Sequence, residues 1–186
     1  LFSVSRSPKN TAIAITGTLS AIYFLDVLFN LFLILKSLHF PPEIIISKEK
    51  LEKLDTKKLP IYTVLCPLYK EVKILPQFIE AMTALDWPAD KLDVVLLLEE
   101  DDVTTIEAAQ SMSLPSSFRI VIVPDSQPKT KPKACNYGIS MARGEYVVVF
   151  DAEDKPEATQ LKKAYIAFQE GEESVVCLQA KLNYYN

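Results

Sequence analysis

The segment "VVVFDAEDKP", Val147 to Pro156, sets three carboxylates, Asp151, Glu153 and Asp154, directly after a run of β-branched and aromatic residues. Acids grouped at the end of a strand have a definite chemical use, because hard carboxylate oxygens coordinate Mg²⁺ or Mn²⁺. A spacing of two lets Asp151 and Glu153 point the same way if the strand stays extended, with Asp154 turning away or capping the next helix. Lys129, Lys131 and Lys133 in "PKTKPK" alternate in a similar manner. Acids that hold a cation, together with lysines that act as point charges, suit a diphosphate. The chain has four glycines, none of them in GxGxxG or GxxxxGK[ST], so neither a dinucleotide fingerprint nor a P-loop is present. The same residues also suit plain structure. Pro156 fits a first helical turn, Asp154 a cap and Glu157 the helix dipole, and single lysines are usually solvated. Chemistry is favoured only if these residues converge, and convergence depends on the elements that carry them.

After Pro60, short apolar runs alternate with helical stretches. "IYTVLCP" precedes a helix around Lys73 to Leu85, and "LDVVLLL" precedes one around Thr104 to Met112. "FRIVIV" precedes one from about Lys133 to Ala142, "EYVVVF" one from Pro156 to Gln169, and "SVVCLQAKL" closes the series as a further strand. This alternation predicts an α/β domain with a mostly parallel, Rossmann-like sheet covered on both faces. In such sheets ligands bind beyond the carboxyl ends of the strands. Those ends read "CPLYKE" with Tyr69 and Glu71, "LEEDD" with Glu99 and Glu100, "VPDSQPKTKPKACNYG" with Lys131 and Asn136, and "FDAEDKP". Read alone, the "EEDD" run is an acidic helix start and Tyr69 a half-buried loop aromatic.

Ahead of this domain, Ala12 to Leu35 is a 24-residue apolar stretch with a single charge, Asp26, which predicts a membrane-spanning helix over 11–38. Residues 1–10 form a flank, 39–59 a linker and 60–186 the domain. Asp26 costs roughly 2.5 to 3.5 kcal/mol inside a bilayer, so it should face protein, with little relief from Asn30. Arg6, Lys9 and Lys36 are too balanced to orient the helix. A formal net charge of −4 without a basic block argues against nucleic acid as a partner. Cys66, Cys135 and Cys177 are odd in number and far apart, as reduced thiols facing the cytoplasm would be. A chain that starts on leucine and ends on "NYYN" reads as a C-terminally truncated piece of a longer protein.

Five stretches in order, "PLYKE", "LLLEEDD", "KTKPKACNYG", "FDAEDKPE" and "CLQAKLNYYN", resemble the successive motifs of the processive, membrane-bound branch of glycosyltransferase family 2, the cellulose-synthase-like enzymes. The resemblance implies a GT-A (nucleotide-diphospho-sugar transferase) fold in 60–186, as its donor-binding half. It also implies an inverting hexosyltransferase that takes a UDP-sugar with Mg²⁺ or Mn²⁺. The acceptor would be a glycan or a lipid-linked hydroxyl. The protein would sit in the lipid of the cell's inner membrane with the catalytic domain cytoplasmic. By the same resemblance Asp151 and Glu153 match the DxD that holds metal and sugar diphosphate, with Glu153 or Asp154 as the second ligand, since glutamate stands where the family has aspartate. Glu99 and Glu100 match the acids near the nucleoside. Lys131 and Asn136 match the lysine near the nucleotide and the asparagine that fixes its loop. Tyr69 and Glu71 match the loop lining the nucleotide pocket. The family's general base and its QxxRW motif are expected beyond Asn186, which would leave this piece alone inactive. Two other classes compete: a non-catalytic, receiver-like module holding Mg²⁺ at an acidic strand end, and a nucleotidyltransferase, whose usual glycine-rich first loop "CPLYKE" lacks.

Overall fold

The computed structural model describes residues 7–39 and 43–182. The chain divides into two units, Leu1–Ile45 and Ile46–Asn186. Among its described residues the first holds one helix, α1 (Pro8–His39), which is long and apolar enough to cross a membrane. Its apolar side chains, among them Leu19, Phe24 and Leu38, are exposed within the chain. Within α1 the Asn30 amide donates to the Asp26 carbonyl at 2.9 Å and to its carboxylate at 3.2 Å. Asn30 therefore meets part of the polarity of Asp26, where the sequence promised little relief.

The second unit opens with a short helix, α2 (Lys48–Glu52), and is built on a parallel sheet of order β3-β2-β1-β4. The strands are β1 (Tyr62–Leu68), β2 (Leu92–Glu99), β3 (Phe118–Val123) and β4 (Tyr146–Val149). Helices α3 (Leu75–Thr83), α4 (Val103–Ser111) and α6 (Gln160–Glu170) cover one face, with Leu75, Phe78, Ala109 and Leu161 packed on Val64, Cys66, Val94 and Leu96. The helix α5 (Lys131–Ile139) covers the other, where Ala134 and Tyr137 meet Leu65, Val95, Leu97 and Val123. β2 is buried along its whole length, which explains the unbroken apolar run from Val94 to Leu98.

α5 lies close to the sheet because of Gly138: a Cβ there would stand 2.7 Å from a Leu97 methyl and 3.2 Å from one of Leu65. That close approach fixes where the lysines at the start of α5 can reach. Residues 48–59 also join this unit, with Lys50 bonded to Glu170 at 2.6 Å, Leu54 packed on the core and Leu59 buried.

Three expectations are corrected. The segment "SVVCLQAKL" forms no strand in the described residues. Among the described residues it makes no ladder with the sheet and β4 pairs only with β1, and Val176 is 88% exposed; strand residues become a strand only by pairing. The last helix starts at Gln160 rather than Pro156, because the Ala158 carbonyl takes the Asp86 N–H at 2.8 Å and ties that stretch to the turn after α3. The strand before the acids does not stay extended: β4 ends at Val149, and 151–154 form a turn closed by Asp154 N–H to the Asp151 carbonyl at 3.0 Å.

Candidate functional site

From β1 the chain builds β2 and β3 outward on one side, then places β4 on the other, so β1 and β4 flank the point where strand order reverses. Crevices for ligands open at the carboxyl ends of strands at such a point. The register deepens this one. β1 pairs with β2 as far as Leu68 but with β4 only as far as Leu65. The Leu65 carbonyl accepts the Phe150 N–H at 3.1 Å, and Pro67, on the same side of the strand two residues later, lies past the last β4 partner. Its missing N–H therefore costs no ladder bond.

Around this opening each lysine of the "KTKPK" stretch pairs with an acid from a different position. Lys131 binds the Asp151 Oδ1, joining the start of α5 to the turn after β4. Lys133 donates to Glu99 Oε2 at 2.7 Å and to the Ser126 carbonyl at 3.2 Å. Lys129 binds Asp101 Oδ2 and lies 3.1 Å from Asp125. These pairs differ in exposure: the Glu99 side chain is 7% exposed and its lysine 18%, whereas Lys131 and Asp151 are 44% and 47% exposed. A pair as open as the last contributes about 0–1 kcal/mol, so either member is free to exchange its partner for a stronger one.

The remaining residues fall into place unevenly. The Glu100 carboxylate accepts the Asp125 N–H at 2.9 Å and so shapes the loop ahead of the lysines. The Tyr69 hydroxyl donates to Asp101 Oδ2 at 3.3 Å. The Glu71 carbonyl accepts the Ile74 and Leu75 N–H groups, opening α3. Asn136 is exposed on α5 and makes no side-chain hydrogen bond among the described residues. Glu153 is exposed with no ion pair there either. Asp154 does not cap a helix; its Oδ2 accepts the Asp151 N–H at 2.7 Å, which turns it back on its own loop. Burial pushes the Asp154 carboxyl up from the ordinary range, with Lys131 opposing. The Lys129 hydrogen bond holds Asp101 below that range, and Asp101 in turn raises Lys129.

Reading strand ends in sequence missed two features. Asp125 serves both Glu100 and Lys129 from the middle of a loop, without motif spacing. Lys70 adopts a left-handed backbone, φ 60, which costs a non-glycine residue roughly 1–2 kcal/mol. Only a positive φ would have marked it, and no glycine advertises one.

Asp151 and Glu153 carry hard carboxylate oxygens of the kind a divalent cation takes, but on the 151–154 turn they no longer share the face of an extended strand. No group of three or more His, Cys, Asp or Glu side chains gathers among the described residues, so the chain itself would supply one or two carboxylates and leave other positions to water and ligand oxygens. Mg²⁺ is usually held in that way with phosphates.

Residues 63–186 match the family described as Glycosyl transferase family 2. Cellulose synthase 2 of Novacetimonas hansenii is 29% identical over 133 residues, 71% of this chain and 8% of that protein. "Probable glycosyltransferase YdaM" of Bacillus subtilis (strain 168) is 28% identical over 105 residues, 55% of this chain and 25% of that protein. The chain thus spans a quarter or less of these curated relatives. Among solved structures, the mannosyltransferase PcManGT from Pyrobaculum calidifontis, in complex with GDP-Man and Mn²⁺, superposes with a TM-score of 0.54 at 25% identity over 66% of this chain and 38% of that one. The parallel sheet with its helices is a GT-A-like fold.

Proposed function

The chain belongs to glycosyl transferase family 2, and we propose that it forms the donor-binding part of a membrane-bound, inverting hexosyltransferase that takes a UDP-sugar with Mg²⁺ or Mn²⁺. The observation that carries this reading is the Lys131–Asp151 pair at the reversal point of the sheet. It is exposed, it joins one cation to one anion, and both ends have better partners in a metal-bound diphosphate. In this reading Asp151 and Glu153 hold the cation, Glu153 being chosen over Asp154 because one Asp154 oxygen is turned back onto the Asp151 amide. Lys131 turns to the diphosphate. Glu99 is kept in place by Lys133, and Glu100 by the Asp125 amide, on the nucleoside side with Tyr69 and Glu71. Asn136 is an exposed residue in the middle of α5 and takes no further role in this reading. The bound cation would supply positive charge where the leaving diphosphate gains negative charge. No residue of this chain is assigned as the base that deprotonates the acceptor, a glycan or lipid-linked hydroxyl.

α1 supports anchoring in a bilayer, and a nucleotide-sugar donor places the domain on the cytoplasmic side of the inner membrane. The domain limits proposed are those of the sequence, with 60–186 as the GT-A domain after a linker at 39–59 whose residues from Lys48 onward pack on that domain. The PcManGT complex holds GDP-Man, so the base is tested directly. Calorimetry with UDP and GDP, with and without Mn²⁺, should show UDP bound more tightly and only with the metal. Asp151→Asn should lower the metal-dependent affinity at least tenfold, about 1.4 kcal/mol. Affinity unchanged by Mn²⁺ or by the substitution overturns the metal assignment, and preference for GDP overturns the uridine one.

A further inference from the structure

Asp102 is 5% exposed at the start of α4, and its two oxygens serve two different segments. Oδ1 accepts the Thr105 N–H at 3.3 Å, which is an ordinary helix cap. Oδ2 accepts the Lys70 N–H at 2.5 Å, from the loop that follows β1. A cap needs one oxygen, and serine supplies it as well as aspartate. The second oxygen therefore does something that capping does not require. The amide it holds belongs to the one non-glycine residue with positive φ among those described. On either side of Lys70 stand Tyr69 and Glu71, and the Tyr69 hydroxyl meets Asp101, the neighbour of Asp102.

We propose that Asp102 is a positioning residue for donor binding: its Oδ2 clamps Lys70 in the left-handed conformation and so aims Tyr69 and Glu71 from the β1–α3 loop at the nucleotide. This rests on the donor site proposed above. Two segments that would line the nucleoside, the loop after β1 and the "EEDD" turn after β2, are thereby locked to each other before any ligand arrives.

The test uses the full chain and the variants Asp102→Ser and Asp102→Ser with Lys70→Gly. Serine keeps the cap on Thr105 but is too short to reach Lys70. In ligand-free protein, amides 69–71 should exchange hydrogen about tenfold faster in Asp102→Ser, while exchange across 103–111 and the thermal midpoint stay as in the unaltered chain. UDP affinity with Mn²⁺ should fall about tenfold. Adding Lys70→Gly should restore at least half of that loss on a logarithmic scale, because glycine takes positive φ without strain. Unchanged exchange at 69–71 overturns the clamp. Exchange rising equally across α4 shows Asp102 to be a cap alone and overturns it too, as does the absence of recovery in the double variant. An unaltered chain that binds no UDP with Mn²⁺ refutes the donor site itself, and the exchange measurement then judges the clamp separately.

Discussion

The two ends of the same sheet treat an aspartate in opposite ways. At the amino end Asp93, the second residue of β2, is 5% exposed, and both of its carboxylate oxygens are taken up by donors beside a cleft that Arg119 and Arg143 also line. Arg119 grips it through Nε at 2.6 Å and Nη2 at 3.0 Å, the Thr63 hydroxyl donates at 2.9 Å, and the Arg143 N–H approaches to 3.3 Å. Arg119 is itself tied to the Met141 carbonyl, and Thr63 also accepts the Gly144 N–H at 2.8 Å. Nearby, Tyr62 stacks edge-on against Trp87 at 5.4 Å, and burial pushes its hydroxyl up to about 12. At the carboxyl end Asp151 has one lysine, an open side and a turn beneath it. A carboxylate surrounded by fixed donors stabilises the fold and has nothing left for a ligand, whereas one met by a single mobile ammonium keeps its second oxygen available.

The comparison breaks most readily at Asp93. Asp93→Ala leaves Arg119 half-buried without its partner, and breaking such a pair costs about 3–5 kcal/mol. Urea unfolding should show that loss, while Asp151→Asn should change stability by less than about 0.5 kcal/mol. Equal losses at the two ends would erase the distinction. The pH dependence has a definite sign. Burial alone would raise the Asp93 carboxyl, but hydrogen bonds from Arg119 and Thr63 outweigh it and hold the group below its ordinary 3.8. A depressed folded-state value means that the contribution is complete above that ordinary value and is lost as pH falls through the folded one. Asp93→Ala should therefore flatten acid unfolding, and a variant as acid-sensitive as the unaltered chain would contradict this.

Next in size is Gly138. A methyl group there meets the Leu97 side chain at 2.7 Å and 2.9 Å, so Gly138→Ala must push α5 off the sheet or shift Leu97. Overpacking of that kind costs about 1–3 kcal/mol. Because α5 carries Lys131 and Lys133, nucleotide affinity should fall along with stability. A variant that loses stability yet binds UDP as before would show that the lysines do not depend on the seating of α5.

Much of this was legible before any coordinates. Strands and helices alternated clearly because β2 is buried on both faces and reads as one apolar run. The strand-end motifs were legible because chemistry at this edge needs charged residues at short, regular spacing. Partnerships were less so. That Lys129 and Lys133 reach the acids at the end of β2 while Lys131 reaches the turn after β4 follows from the seating of α5, which hangs on one glycine. Asp93 and Arg119 lie 26 residues apart on separate strands, and nothing local in the sequence connects them. The fate of "SVVCLQAKL" was illegible for a related reason, because strand propensity is local and pairing is not.

The smallest effect is expected at Lys131, and it separates the two ends of the sheet most finely. Its pair with Asp151 is half exposed on both sides, so Lys131→Ala should leave unfolding within about 0.5 kcal/mol of the unaltered chain. A point charge acts chiefly on other charges, so the same change should weaken UDP by about tenfold and uridine hardly at all. Removing the ammonium also frees the Asp151 oxygen, and Mn²⁺ offered without nucleotide should bind no more weakly than before. Equal losses for UDP and uridine would take Lys131 out of the phosphate role and pass it to Lys129 or Lys133. A large loss of stability would make the carboxyl-end pair a structural lock like Asp93 and Arg119, and the distinction between the two ends would then fail at the residue on which the donor site depends.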